Sequence, residues 1–228
     1  MREVRAVCLD LDDTLWPVGP VIANAESAMM DWLARHCPRV LERHDVAGMR
    51  RLRADVAGDH PDRLHDLSFL RRAALERAVV EAGYGAAAAD GAFAAFFAAR
   101  NRVELFADVL PALDRLAARY RLFALSNGNA DLAVIGIAAR FEAALSAREA
   151  GVAKPDPRIF GALLGRASLA AHEVVYVGDD PQADVEGARR AGLHAVWVDR
   201  AGRQWPAALE PPAHRVRDLH ELAGLLGA

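Results

Sequence analysis

From Leu110 onward the chain alternates short apolar runs with helical stretches, and this alternation restricts its fold more than any other feature. The runs "RLFALS", "ALSA", "EVVYVG" and "HAVWV" are separated by segments such as "PALDRLAARY" and the one that begins at Asp156. Buried strands interleaved with helices predict a parallel sheet covered on both faces. Local punctuation agrees: Asp156 before Pro157 is an N-cap with a first-turn proline, and Gly192 after "EGARRA" is a helix stop. A closing helix over "RDLHELAGLL" is expected to turn Leu219, Leu222, Leu225 and Leu226 inward.

A further apolar run, "VRAVCLDLDD", lies far upstream and reads as the first strand of the same sheet. Between it and its companions, residues 16–105 read as all helix. Val21, Ile22, Ala25, Met29, Trp32 and Leu33 share one helical face, with Asn24, Glu26 and Asp31 off it. Residues 40–66 are weakly periodic, whereas Phe93, Phe96 and Phe97 return to helical spacing and read as core packing rather than a cofactor box. The predicted fold is therefore α/β, a doubly wound, Rossmann-like parallel sheet over residues 1–15 and 106–228, with an all-helical cap over 16–105 inserted after its first strand.

Composition narrows the function class. The 228 residues, 53% of them hydrophobic, can build one core with a smaller attached unit. A formal charge of −3 lacks the basic excess expected of a nucleic-acid or anionic-membrane surface, so neither partner is expected. A small soluble metabolite suits this balance better, bound by a monomer or weak homodimer. Cys8 and Cys37 form neither a disulfide framework nor a zinc spacing. The apolar start turns acidic at Asp10, too soon for a signal sequence, and a cytoplasmic location is expected.

In open parallel sheets ligands bind beyond the carboxyl ends of the strands. Here those ends read "DLDDTL" (10–15), "LSNGN" (125–129) and "GDDPQAD" (178–184), while Lys154 follows the short "ALSA" strand by a loop. Several carboxylates, a hydroxyl and one ammonium would thus meet. Converging carboxylates either become harder to ionise or share a cation, and a hard divalent ion held by oxygen is the economical solution. Lys154 is also the chain's only lysine; every other one of its 28 basic residues is arginine. A compact ammonium differs from a planar guanidinium in reach and geometry.

The order of these motifs resembles that of the haloacid dehalogenase-like hydrolase superfamily, specifically its phosphatases with a helical cap between the first and second motifs. The resemblance implies Mg²⁺ as cofactor and Asp10 as the nucleophile that becomes an aspartyl phosphate. It makes Asp12 the acid that protonates the leaving alcohol and then the base that activates water. Ser126, the amides of Asn127 and Gly128, and Lys154 would hold the phosphoryl oxygens. Asp10, Asp179 and the carbonyl of Asp12 would bind the metal, with Asp184 supporting it or orienting Lys154. Thr14 and Asp180 belong to the surrounding shell, and Asp13 has either a hydrogen-bonding role in the turn or a direct one.

"DLDDTLWPVGPVI", with "SNGNA" and "GDDPQAD", is similar to the branch acting on flavin mononucleotide and the phosphorylated ribitylaminopyrimidine precursor of riboflavin. Residues 40–100 depart from that branch position by position, and the resemblance through the core motifs implies flavin mononucleotide or that precursor as substrate. A sugar-phosphate or phosphoglycolate phosphatase, or a phosphomutase, shares the core motifs. A haloacid dehalogenase has no need of Asp12. A phosphoryl-accepting receiver module has no helical insert of about 90 residues. None of the eight histidines has metal-ligand spacing. In the cap, Trp16 either stacks on a substrate ring or packs at the hinge, and Arg71 or Arg72 would contact a substrate anion.

Overall fold

A computed structural model describes residues 3–228 and divides the chain into two compact units. In the first unit, β1 (Ala6–Leu9) is buried at all four positions, as expected of a central parallel strand covered on both faces. The helical insert then supplies α1 (Val18–His36), α2 (Val46–Asp59), α3 (Leu67–Glu81) and α4 (Ala88–Arg100). The α/β chain resumes with α5 (Val109–Ala117), β2 (Arg121–Ser126), the one-turn α6 (Leu132–Ile135), β3 (Ala143–Ser146), α7 (Ala147–Ala150) and α8 (Pro157–Ala167). It closes with β4 (Val174–Gly178), a π-helical turn over Pro181–Glu186 running into α9 (Gly187–Arg190), β5 (His194–Val198), β6 (His214–Val216) and α10 (Leu219–Leu225).

The six strands are parallel and ordered β3-β2-β1-β4-β5-β6. The chain therefore leaves β1 toward β2 and β3 on one side, then returns to add β4, β5 and β6 on the other. That reversal creates a crevice at the carboxyl end of β1. Register aligns the edge of the crevice: Leu9 pairs with Ala124 of β2 and with Val177 of β4, and the Asp10 amide donates to the Val177 carbonyl at 2.8 Å.

One face of the sheet carries Ala6, Cys8, Phe123, Leu125, Tyr176 and Trp197, packed with Ile159, Phe160 and Leu163 of α8 and with Val185 and Ala188. The alternate strand positions point the other way, toward a layer in which α5 packs on α10. Each fully buried side chain of this size contributes roughly 1.5–3 kcal/mol by leaving water. Leu219 and Leu222 are fully buried and Leu226 nearly so, but Leu225 is 39% exposed, so the inward stripe of α10 is narrower than expected. β6 escaped the sequence reading because "HRV" is three residues with one apolar member.

The second unit holds its own core, built from Ala25, Met29 and Leu33 of α1, Leu70, Ala74 and Leu75 of α3, and Phe96 of α4, with others. Asp45 and Asp66 start α2 and α3 by accepting from the amides of Gly48 (2.6 Å) and Phe69 (2.9 Å). Glu26, expected off the packed face, is only 3% exposed because the Arg50 guanidinium grips both its oxygens. Phe96 is buried, while Phe93 and Phe97 stack on each other at 6.0 Å and stay half-buried.

The boundaries also differ from those read in the sequence. Residues 18–103 and 129–135 form the helical unit, and 1–17, 104–128 and 136–228 the α/β unit. The segment 129–135 changes side because Asn129 donates to Ser68 Oγ at 3.1 Å and the Asp131 amide to Asn101 Oδ1 at 2.7 Å. Such contacts leave no trace in local periodicity. Among the described residues no helix is long and apolar enough to cross a membrane.

Candidate active site

The polar ends of β1, β2 and β4 and the loop between α7 and α8 close around a cleft of about 220 Å³ lined by Asp10, Asp12, Ser126, Asn127, Lys154 and Asp179, among others. Asp13, Gly128, Asp180 and Asp184 line it too. Of the core-motif residues expected at the site, Thr14 lies outside this lining, as does Trp16. Thr14 is fully buried, its hydroxyl has no partner among the described residues, and it serves through its backbone carbonyl, which accepts from Arg200 Nη2 at 2.8 Å.

Lys154 is the hub. Its ammonium, 3% exposed, lies 2.6 Å from Asp10 Oδ1, 2.6 Å from Asp184 Oδ1 and 2.8 Å from the Tyr176 hydroxyl. Burial works to lower its pKa, but the two carboxylates outweigh that and hold it above its ordinary value. The loop is held by Asn127, whose side chain accepts from the Lys154 amide (2.8 Å) and donates to its carbonyl (3.0 Å). The Asn127 side chain is thus committed to Lys154, leaving its backbone amide for a ligand. The Gly128 amide, expected to face a ligand, donates instead to Ser126 Oγ at 2.9 Å. That bond leaves the Ser126 hydroxyl proton to be given elsewhere.

Asp184 is 1% exposed and fully engaged: Oδ1 also accepts from Tyr176, and Oδ2 accepts from the Asp180 amide at 2.9 Å. The π-helical turn achieves this, because the amides of Asp184 and Val185 both donate to the Asp180 carbonyl and the winding swings Asp184 back under β4. Gly178 is required there, since a Cβ would run into the Asp184 carboxylate. Asp180 caps the turn through the amides of Gln182 (2.8 Å) and Ala183 (2.7 Å). Asp13 adopts a left-handed φ of 58°, a conformation aspartate tolerates better than most residues, and its amide donates to the Trp16 carbonyl.

Trp16 belongs to the α/β unit, is fully buried and donates its indole N–H to Asp12 Oδ1 at 2.9 Å. It orients Asp12 and presents no face for stacking. Sequence reasoning missed Tyr176 and Arg203. The former's only signal was a hydroxyl inside the apolar "VVYVG". Arg203 donates to the Asp179 carbonyl at 2.7 Å and lies 3.2 Å from its Oδ2; nothing in "DRAGR" announces it.

Carboxylate oxygens of Asp10, Asp179 and Asp184 all lie within 4.8 Å of one another. Burial pushes the Asp10 carboxyl well up from the usual carboxylate range despite Lys154, and burial with the charge of Asp184 raises Asp179 to about 7. Three carboxylates against the Lys154 ammonium and the Arg203 guanidinium still leave negative charge in a small volume, which a cation relieves. The donor set suits a hard ion: it is all oxygen, and Asp10 Oδ2 and Asp179 Oδ1 have no partner among the described residues.

A profile described as a haloacid dehalogenase-like hydrolase matches residues 4–192. The chain is 32% identical over 202 residues to the 5-amino-6-(5-phospho-D-ribitylamino)uracil phosphatase YigB of Escherichia coli (strain K12), covering 87% of this chain and 84% of that protein. It is 38% identical over 158 residues to a phosphoserine phosphatase of Thermus thermophilus, covering 67% of this chain and 63% of that one. Among solved structures, one described as a 2-haloacid dehalogenase from Pseudomonas syringae pv. Tomato DC3000 superposes with a TM-score of 0.93 at 37% identity, over 98% of both chains. A fold shared over nearly its whole length, and strand ends that carry the motifs in order, make this chain a member of the haloacid dehalogenase-like hydrolase family, and a hydrolase.

Proposed function

We propose that the chain is a Mg²⁺-dependent phosphatase acting on a small phosphate monoester through an aspartyl phosphate at Asp10. The observation that carries this reading is the pair Asp10 and Asp12 at one cleft, the first held by Lys154 and the second oriented by the Trp16 indole. An oxygen of Asp10 attacks phosphorus, and the bond to the leaving alcohol breaks as Asp12 protonates that oxygen. Asp12, now a carboxylate, takes a proton from water, which attacks the phosphorus and frees Asp10 and inorganic phosphate. The Ser126 hydroxyl, the Asn127 amide and the Lys154 ammonium steady the phosphoryl oxygens. Asp10, Asp179 and the Asp12 carbonyl would hold Mg²⁺, which supplies charge neutralisation for the carboxylates and the phosphoryl group.

The relative described as a dehalogenase favours a second reading, displacement of halide from a 2-haloacid by the same Asp10. Departing halide needs no proton, so that reaction leaves the oriented Asp12 without a task. Phosphate and halide release measured side by side separates the two. Phosphate release lost in Asp10→Asn, slowed by at least about 10²-fold in Asp12→Asn, and abolished by chelator until Mg²⁺ is restored is the expected result. Halide release without phosphate release overturns the reading.

For substrate, the first-motif resemblance and the similarity to YigB support flavin mononucleotide or 5-amino-6-(5-phospho-D-ribitylamino)uracil. A panel of these with sugar phosphates, phosphoserine and phosphoglycolate, ranked by kcat/KM, tests this. A preference outside the first two compounds removes the riboflavin assignment and leaves the phosphatase.

A further inference from the structure

Inside the helical unit, Arg71 of α3 is only 8% exposed, yet among the described residues it makes no hydrogen bond and no ion pair. Its guanidinium lies over the Phe96 ring at 3.6 Å, which fixes the plane but uses none of its N–H donors. Several more exposed arginines of the same helices are ion-paired: Arg50 with Glu26, Arg72 with Asp90 and Arg77 with Asp59. Glu26, the acidic group that acts on Arg71, is gripped at both oxygens by Arg50. Burial, with the charges of Arg53, Arg50 and Arg100 nearby, lowers the Arg71 pKa to about 9. A buried guanidinium among other cations is costly unless an anion completes it.

We propose that Arg71 anchors an oxyanion-binding site within the helical unit, taking a carboxylate or phosphate group against its N–H fork while Phe96 backs its plane. Guanidinium geometry matches two oxygens of such a group, and a halide lacks them. The oxyanion is that of a free metabolite, so the site does not rest on the phosphatase reading.

The direct test is the ¹⁵N–¹H spectrum of arginine Nε–H groups in the full-length, Mg²⁺-loaded protein, with the Arg71 signal assigned by its loss in Arg71→Lys. Titration with sodium sulfate or acetate, but not sodium chloride at equal ionic strength, is expected to shift that signal saturably. An Arg71 signal unmoved by both oxyanions overturns the proposal, and needs no variant that must refold.

Discussion

Lys154 survives as a lysine in a chain that otherwise uses arginine because its ammonium must fit, 3% exposed, among two carboxylates and a hydroxyl. An ammonium directs three donors tetrahedrally, whereas a guanidinium is planar, longer and forked. Lys154→Arg is therefore expected to displace Asp10 or Asp184 and lower kcat for phosphate release by about 10²-fold or more, measured on any ester the wild type accepts. Lys154→Met leaves two buried carboxylates facing each other and is expected to cost about 3–5 kcal/mol in denaturant unfolding. Near-wild-type activity in Lys154→Arg would mean that the lone lysine is an accident of composition.

At the scale of elements, the decisive piece is the junction from β4 into the π-helical turn. Gly178 ends the strand, and its missing Cβ is the space that the Asp184 carboxylate fills. Gly178→Ala is expected to destabilise by about 1–3 kcal/mol through overpacking and to lower activity by slackening Asp184 against Lys154. Far-UV circular dichroism should stay native while kcat falls; unchanged kcat would show that Asp184 has room to move. A second close approach lies in the helical unit, where a Cβ on Gly91 of α4 would enter the Trp32 indole of α1. That crossing explains a glycine in mid-helix, where it otherwise costs about 1 kcal/mol.

Across the α/β unit, Asp108 joins three distant pieces of chain. Its oxygens accept from Arg200 at 2.9 Å twice and from the Leu219 amide at 2.8 Å, while the same arginine donates to the Thr14 carbonyl in the turn after Asp10. Burial would raise the Asp108 pKa, but these donors outweigh it and hold it below the usual carboxylate value. A folded-state pKa below the unfolded one stabilises the fold at pH above the unfolded value, and that stability is lost as pH falls through the folded value. Asp108→Ala is thus expected to cost about 3–5 kcal/mol near neutrality. The difference from wild type should shrink below about pH 4, as read by urea unfolding at a series of pH values. A constant difference down to pH 2 would remove Asp108 from the acid-sensitive groups.

Much of this architecture is written locally. Strand and helix periods, the caps at Asp156 and Gly192, the helical insert and the polar strand ends follow from residues within a few positions of one another, and those alone determine the α/β class and the residues to watch. Local order could not determine which donors remain free at the site. Asn127 and Lys154 are far apart in the chain, yet their reciprocal hydrogen bonds commit the Asn127 side chain. The Gly128 amide goes to Ser126 rather than to a ligand. Neighbours Arg71 and Arg72 look alike in sequence, but one is buried over Phe96 and the other exposed beside Asp90. Periodicity encodes which way a side chain leaves its own helix or strand; what it meets there depends on sheet register and helix packing, and those exist only once the whole chain has folded.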